Sequence, residues 1–296
     1  MGQCGACGDT NRGVIYTGRI REGRFGELST EDCRIMECLG CGARELEQKE
    51  LDSARFYESD VYRARVDGSG SIAAYFTTHD AEQLRHLTAT GTVIFRDKMV
   101  ADVGCGAGSF LHCVEAMASR IVAIEPSETF RASLAGRGYL TFPYAADAVT
   151  EVEGQVDVAV SFSVIEHVER PEQFLRDVRK LLRPQDGTLI VSTPNACDAL
   201  LTMLPSDYPQ FFYRRAHLWY WTADALQTLL LRAGFRDVTI MPVQRFGLGN
   251  FLGWLRDRRP QGQKPCAFAT PAVDSVWKAE LQRLDACDYL FATACT

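Results

Sequence analysis

Residues 98–108 read Lys-Met-Val-Ala-Asp-Val-Gly-Cys-Gly-Ala-Gly and are the most informative part of the chain for its fold. The apolar run over 98–103 predicts a short buried strand. The glycines that follow let the backbone turn sharply and approach a ligand closely, and a predicted helix from Ser109 would present its free N–H groups to that ligand. A strand, a glycine loop and a helix in this order predict a nucleotide-type binding site.

The alternation of strands and helices continues along the chain. Helices are predicted at 80–88, 109–118, 127–137 and 171–182. Further strands are predicted at 120–124, 140–144, 156–161, 187–192, 237–243 and 288–294. Repeated units of this length predict an α/β fold with a parallel sheet covered by helices on both faces, and such sheets bind ligands at the carboxyl ends of their strands.

Two acidic residues lie where a nucleoside would need them. Glu125 ends the second strand, where a carboxylate can accept hydrogen bonds from both ribose hydroxyls of an adenosine. Asp147 follows the third strand, where it can accept one from the adenine amino group. The loop spacing is GxGxG, without the extra residue that dinucleotide-binding loops have before their third glycine, and this disfavours a nicotinamide-dependent oxidoreductase.

Five motifs occur in succession: VADVGCGAGSF at 100–110, AIEPS at 123–127, Asp147, SFSVIEHV at 161–168 and LRPQDG at 182–187. Together they resemble the motifs of class I S-adenosylmethionine-dependent methyltransferases over roughly residues 75–243. The resemblance implies a Rossmann-like seven-stranded sheet whose last strand is antiparallel, and S-adenosyl-L-methionine as the methyl donor. The most similar patterns are those of ubiquinone-type O-methyltransferases and of methyltransferases from sugar and polysaccharide pathways.

The resemblance also indicates which residues contact the donor. They lie in the glycine loop, at the ends of the next strands and next to the first core helix. The predicted set is Asp102, Gly104, Gly106, Gly108, Glu125, Pro126, Asp147, Ala148, Ser161, Tyr75 and His79.

The N-terminal cysteines predict a metal site. Cys4 and Cys7 form one CxxC unit and Cys38 and Cys41 form another, each followed by a glycine, and two such units supply the four sulfurs of a tetrahedral zinc site. A small zinc ribbon over 1–50 is therefore expected in front of the sheet. A redox or disulfide pair is the alternative, and the additional Cys33 is predicted to be a bystander.

Three residues are candidates for catalysis. His167 follows the fourth strand into the cleft and is the leading candidate for the base that removes a proton from the acceptor, because an imidazole titrates near neutral pH. Glu166 beside it is a candidate to orient it or to contact the donor. His217 lies in an aromatic and basic segment, 213–221, that either covers a substrate or packs in the core. A structural role for His167 remains the alternative.

The predicted domain organisation has three parts. A zinc ribbon at 1–50 is followed by a linker or lid at 51–79, in which Tyr57 or Tyr62 is a candidate to reach the acceptor. The methyltransferase domain follows at 80–296, with an insertion at 244–285.

Composition limits the function classes. The net charge of −6 argues against a protein that binds nucleic acid or anionic membranes, and no apolar run approaches the ~20 residues of a membrane helix. A cytoplasmic enzyme acting on a small molecule is expected, and no oligomeric state is predicted. Because some sugar C-methyltransferases carry a Cys-rich module in front, a nucleotide-linked sugar is the expected acceptor. O-methylation of a phenol or quinone precursor, and a non-catalytic nucleoside sensor, are the alternatives.

Overall fold

The computed structural model describes residues 3–47, 71–264 and 266–296 of the 296-residue chain. Most of the predicted linker at 51–79, including Tyr57 and Tyr62, lies outside the described residues. Within them, the strands are β1 (Arg12–Gly18), β2 (Cys33–Cys38), β3 (Arg44–Leu46), β4 (Met99–Val103), β5 (Arg120–Ile124), β6 (Leu140–Phe142), β7 (Val158–Phe162), β8 (Thr188–Pro194), β9 (Trp219–Tyr220), β10 (Arg236–Val243) and β11 (Tyr289–Cys295).

The α-helices alternate with these strands, and a 3₁₀ turn at Val93–Phe95 precedes β4. The helices are α1 (Ile72–Thr90), α2 (Ser109–Val114), α3 (Glu128–Gly136), α4 (Ala145–Val152), α5 (Pro171–Leu181), α6 (Ala199–Met203), α7 (Pro209–Phe212), α8 (Ala223–Arg232), α9 (Leu248–Asp257) and α10 (Pro271–Arg283). In the parts of the chain that the structure describes, no helix combines the length and the apolar composition that crossing a bilayer requires.

The large sheet has seven strands in the order β10-β11-β8-β7-β4-β5-β6. Strand β4 pairs in parallel with β5 and β7, and β5 pairs in parallel with β6, whereas the last strands are antiparallel. All residues of β4 and β7 are buried, as expected for central strands covered on both faces. The predicted fold class, a Rossmann-like seven-stranded sheet with an antiparallel last strand, is confirmed.

Helix α1 begins earlier than the helix predicted at 80–88. Its residues Ile72–Thr90 follow Ser71, whose side chain accepts a hydrogen bond from an N–H group of the first turn. A serine in this position is a strong helix start signal, but it lies before the apolar pattern that predicted the shorter helix. Tyr75 and His79 therefore belong to the helix.

A second sheet has four strands in the order β1-β2-β3-β9. The Cys-rich residues form β1, β2 and β3 as antiparallel neighbours, and β9 adds to β3 through the pairs Arg44–Tyr220 and Glu45–Trp219. A buried cluster joins side chains of these N-terminal residues, such as Ile20, to side chains of α6, α7 and α9. The N-terminal residues thus share one hydrophobic core with later segments.

The chain divides into two compact units. Of the described residues, one unit contains those of 3–47, 192–228 and 239–292, and the other contains 71–191, 229–238 and 293–296. The first unit, called the Cys-rich unit below, holds the small sheet. The second, called the loop unit, holds the glycine loop and the predicted donor contacts. The predicted domain boundaries stay predictions.

Candidate active site

The glycine loop of the loop unit connects β4 to α2 at the point where the strand order reverses. Gly104, Gly106 and Gly108 all have positive φ angles of +84°, +56° and +85°. At Gly106 the space is also closed, because a Cβ atom there would overlap the hydroxyl of Tyr75 and lie 2.5 Å from its Cζ atom. The loop backbone can lie this close to α1 only because Gly106 has no side chain.

Glu125 holds this loop from the end of β5. One carboxylate oxygen accepts a hydrogen bond from the Gly106 N–H at 2.9 Å, and the other accepts one from the Ser127 N–H at 3.0 Å. Glu125 is only 2% exposed. Each oxygen of an ionised carboxylate can accept more than one hydrogen bond. The site residues stay predictions, and this arrangement is compatible with the predicted role of Glu125.

Asp102 lies in β4 and is buried together with Glu125. Burial, and then the negative charge of Glu125, raise the pKa of Asp102 to about 8. A buried carboxylate whose charge keeps its neighbour protonated favours a ligand that brings positive charge. An adenosyl sulfonium with its amino group is such a ligand.

Tyr75 and His79 lie one turn apart on α1. Their rings are 4.1 Å apart between centroids, and the Tyr75 ring also contacts Phe130 of α3 at 5.3 Å. Tyr75 is buried, whereas His79 is half-buried. The structure therefore places Tyr75 directly against the glycine loop at Gly106, with the His79 ring tilted by 30° against the Tyr75 ring.

The remaining predicted donor contacts surround the ends of the strands. Pro126 is half-buried, Ala148 is buried, and Asp147 is exposed in the first turn of α4. The Ser161 hydroxyl donates a hydrogen bond to the Val103 carbonyl at 3.0 Å, so Ser161 links β7 to β4.

The catalytic candidates belong to different units. Glu166 and His167 follow β7 in the loop unit, with Glu166 buried and His167 half-buried. Both residues lie in a turn that is closed by a hydrogen bond from the His167 N–H to the Val164 carbonyl at 2.9 Å, and Ser163 just before this turn has a φ of +56°. His217 belongs to the Cys-rich unit, is 6% exposed, and lies with its ring centroid 5.8 Å from that of Tyr220.

The aromatic segment around His217 is part of a core. Tyr213, Trp219, Tyr220 and Trp221 are each no more than 3% exposed. Of the two readings left open for these rings, the structure supports packing rather than an exposed stacking surface.

The sulfur atoms of Cys4, Cys7, Cys38 and Cys41 lie within 4.8 Å of one another in the Cys-rich unit. The distance is 3.8 Å from Cys4 to Cys41 and 3.4 Å from Cys7 to Cys38. Each CxxC turn is closed by a 2.8 Å hydrogen bond from the N–H of the following glycine to the carbonyl of the first cysteine.

Two residues next to the glycine loop were missed by the sequence analysis. Val164 lies where a Cβ atom on Gly104 would have to go, and no sequence signal indicates that contact. Ser127 offers its N–H to Glu125 and begins helix α3, because its side chain accepts a hydrogen bond from the Phe130 N–H. Serine before a helical pattern was a readable signal for the second of these roles.

Comparison with known proteins identifies relatives of this arrangement. The family described as "Methyltransferase domain" matches residues 76–240. A Mycobacterium tuberculosis protein named "probable S-adenosylmethionine-dependent methyltransferase" is 33% identical over 145 residues, which are 48% of this chain and 50% of that protein. A "ubiquinone biosynthesis O-methyltransferase" of Bradyrhizobium diazoefficiens is 28% identical over 142 residues, which are 45% of this chain and 56% of that protein. The chain thus spans about half the length of these relatives.

A structural neighbour supports the fold. The crystal structure of a SAM-dependent methyltransferase of Thermotoga maritima aligns with a TM-score of 0.53 at 16% identity, covering 82% of this chain and 99% of that one. At this identity the likeness bears on the fold alone. Since the family match covers more than half of the chain, and the sheet carries its glycine loop where the strand order reverses, the chain belongs to the class I S-adenosylmethionine-dependent methyltransferases.

Proposed function

We propose that the protein transfers a methyl group from S-adenosyl-L-methionine to a small polar acceptor. The observation that carries the proposal is the link between Glu125 and Gly106, because it fixes a carboxylate, which we propose binds the ribose hydroxyls, against a glycine loop at the carboxyl ends of β4 and β5. The negative charge of Glu125, which together with burial raises the pKa of its neighbour Asp102, suits a cationic donor.

When bound, the donor supplies an electrophilic methyl group on a positively charged sulfur. The loop and Tyr75 align the donor and exclude water from it, which is the main contribution a protein makes to an in-line displacement. His167 accepts the proton of the acceptor as the general base, and Glu166 next to it supports that role. His217 is the second candidate for the same role.

We propose a nucleotide-linked sugar or related carbohydrate as the acceptor, with the methyl group going to oxygen or carbon. The Cys-rich residues in front of the methyltransferase sheet support this choice, as does the net charge of −6, which disfavours a nucleic-acid substrate. A second candidate is O-methylation of a phenolic or quinone precursor, and the similarity to the Bradyrhizobium protein favours it.

We also propose that Cys4, Cys7, Cys38 and Cys41 hold a structural zinc ion. Four sulfurs bonded to zinc at about 2.3 Å in a tetrahedron lie about 3.8 Å from one another. The distances of 3.4 and 3.8 Å between paired sulfurs fit that geometry. Burial raises the pKa of Cys4 and of Cys41, and it also opposes ionisation of Cys38, whose pKa is nevertheless lowered by N–H groups of the turn and by the neighbouring thiols.

The test is mass spectrometry of products after the full chain is incubated with S-adenosyl-L-methionine and two acceptor panels, nucleotide sugars and catechol-type phenols. Methylated nucleotide sugars support the first candidate, and methylated phenols alone support the second. His167→Ala is expected to slow turnover by about 100-fold or more without changing the affinity for S-adenosylhomocysteine. His112→Ala, an exposed histidine on α2, is the matched control. A chain that binds S-adenosylhomocysteine but methylates neither panel contradicts the proposal.

A further inference from the structure

Arg21 is held beside Arg214 by backbone contacts within the Cys-rich unit. The Arg21 N–H donates to the Tyr213 carbonyl at 2.9 Å, and the Arg21 carbonyl accepts from the Arg215 N–H at 2.9 Å. Arg21 and Arg214 are therefore paired across a parallel bridge, which concentrates positive charge at one place.

The Arg21 side chain is buried, and among the described residues no carboxylate forms an ion pair with it. It is 8% exposed, and in the described part of the chain neither Nε nor Nη2 has a hydrogen-bond partner. Its sequence neighbour Glu22 contacts Arg215 instead, at 3.6 Å. Buried charges in proteins are normally paired, so an unpaired guanidinium indicates that its partner is a ligand.

The two atoms without partners form one recognition edge. Nε and Nη2 lie on the same side of the planar guanidinium and bind the two oxygens of an oxyanion together. The face of the guanidinium is already used, because it stacks on the Phe211 ring with its Cζ atom 4.1 Å from the centroid. That stacking fixes the plane of the guanidinium, and a ligand at the Nε and Nη2 edge has to displace the side chains that now bury both atoms.

The local charge favours an anion with more than one negative charge. Burial, and then the charge of Arg214, lower the pKa of Arg21 to about 9, so the group is still protonated at neutral pH. The hydroxyl of Tyr208 is committed to Asp198 at 2.7 Å, and that of Tyr220 donates to the Arg214 carbonyl at 3.1 Å. Neither tyrosine hydroxyl is therefore an acceptor for the Nε or Nη2 atom of Arg21.

We infer that Arg21 binds a phosphoryl group through its Nε and Nη2 atoms. The binding site itself lies within the Cys-rich unit and needs no methyl donor. That the phosphoryl group belongs to the methyl acceptor, as in a nucleotide-linked sugar, rests on the proposed function.

The experiment measures thermal stabilisation of the full chain by pyrophosphate, with malonate as the carboxylate probe. Pyrophosphate is expected to raise Tm in a concentration-dependent way. Arg21→Lys keeps the charge but loses the two-point edge and is expected to weaken the pyrophosphate effect by about tenfold or more. Arg21→Met is expected to abolish it while keeping or raising the Tm without ligand, since it removes a buried unpaired charge. Arg24→Lys, an exposed arginine of the same loop, is the control.

Each outcome decides the inference. No stabilisation by pyrophosphate, an Arg21→Lys variant as responsive as the parent, or a strong fall of the ligand-free Tm in Arg21→Met shows that the arginine is structural. Stabilisation by malonate alone overturns the phosphoryl assignment. S-adenosylhomocysteine binding, measured on the same samples, tests the proposed function separately. If the parent protein binds pyrophosphate but not S-adenosylhomocysteine, the result contradicts methyl transfer and does not affect the inference about Arg21.

Discussion

Replacement of Gly106 by alanine tests whether the glycine loop is shaped by its contact with α1. The substitution places a methyl group on a residue with a φ of +56° and only 2.5 Å from Tyr75 Cζ and 2.9 Å from its Cε2. Ordinary contacts at this kind of position are 3.4–4 Å, so the ring would have to move by about 1 Å. Tyr75 is packed between His79 and Phe130, and it has no simple path away from the loop.

Two contributions to the loss of stability are separable. An alanine in the left-handed region costs about 1–2 kcal/mol. Expelling the buried Tyr75 ring into water adds up to about 3 kcal/mol, so the free energy of unfolding is expected to fall by about 3–5 kcal/mol in total. Gly138→Ala isolates the first contribution, because Gly138 has a φ of +85° and nothing within 4 Å of its missing Cβ atom.

Urea unfolding of the parent, Gly106→Ala, Tyr75→Ala and the double variant forms a double-mutant cycle. Because the double variant has no ring to displace, the two changes should be less costly together than the sum of the single variants, by about 2–3 kcal/mol. Calorimetry with S-adenosylhomocysteine should show that Gly106→Ala weakens binding while Gly138→Ala does not. A Gly106→Ala variant as mild as Gly138→Ala, or additive behaviour in the cycle, would refute the reasoning.

Three further substitutions test the remaining parts. Glu125→Gln leaves one of the two backbone N–H groups, of Gly106 or Ser127, without an acceptor. We expect the affinity for S-adenosylhomocysteine, measured by calorimetry, to fall about tenfold, or ~1.4 kcal/mol. An unchanged affinity would show that Glu125 is not part of the binding site. The raised pKa of Asp102 means that the native state holds a proton that the unfolded chain releases from about pH 4 upward, so stability should fall as pH rises from about 4 to about 8. Asp102→Asn should flatten that part of a urea-unfolding pH series, and an identical slope would contradict the assignment. Cys38→Ser should lower the zinc content, measured by elemental analysis, to below about half an equivalent, whereas Cys33→Ser should keep about one; equal metal contents would argue against the four-cysteine site.

The strand, glycine loop and helix at 98–114 were predictable because their signals are local in sequence. The run at 98–108 places strand, glycine loop and helix in order, and Glu125 is found by counting to the end of the next strand. Its hydrogen bonds to the two backbone N–H groups were not predictable, since they depend on the register between β4 and β5. The start of α1 was missed because the signal at Ser71 lies outside the apolar pattern.

The Cys-rich unit was harder to predict because its structure depends on contacts between residues far apart in sequence. The spacing of the cysteines predicted the sulfur cluster, but nothing in the sequence indicated that β9 extends the N-terminal sheet. A two-residue strand has too few residues for a periodic pattern. The burial of Arg21 was likewise not predictable, because an arginine between turn residues is normally exposed. Its backbone hydrogen bonds to Tyr213 and Arg215, which are far away in sequence, place it in a buried position.

The contacts of the four-cysteine cluster explain why a structural metal there bears on more than its own turns. A Cβ atom on Gly5 would lie 2.7 Å from the Trp219 ring, so the first CxxC turn packs directly against β9. Strand β9 in turn follows His217 in sequence and pairs with β3. Arg21 and His217 lie outside the four-cysteine cluster. The backbone of Arg21 is bonded to Tyr213 and Arg215, which together with His217 lie shortly before β9 in the chain. Because a bound metal contributes folding free energy to the residues that enclose it, the zinc ion that we propose at the four cysteines would stabilise these segments as well as its own turns.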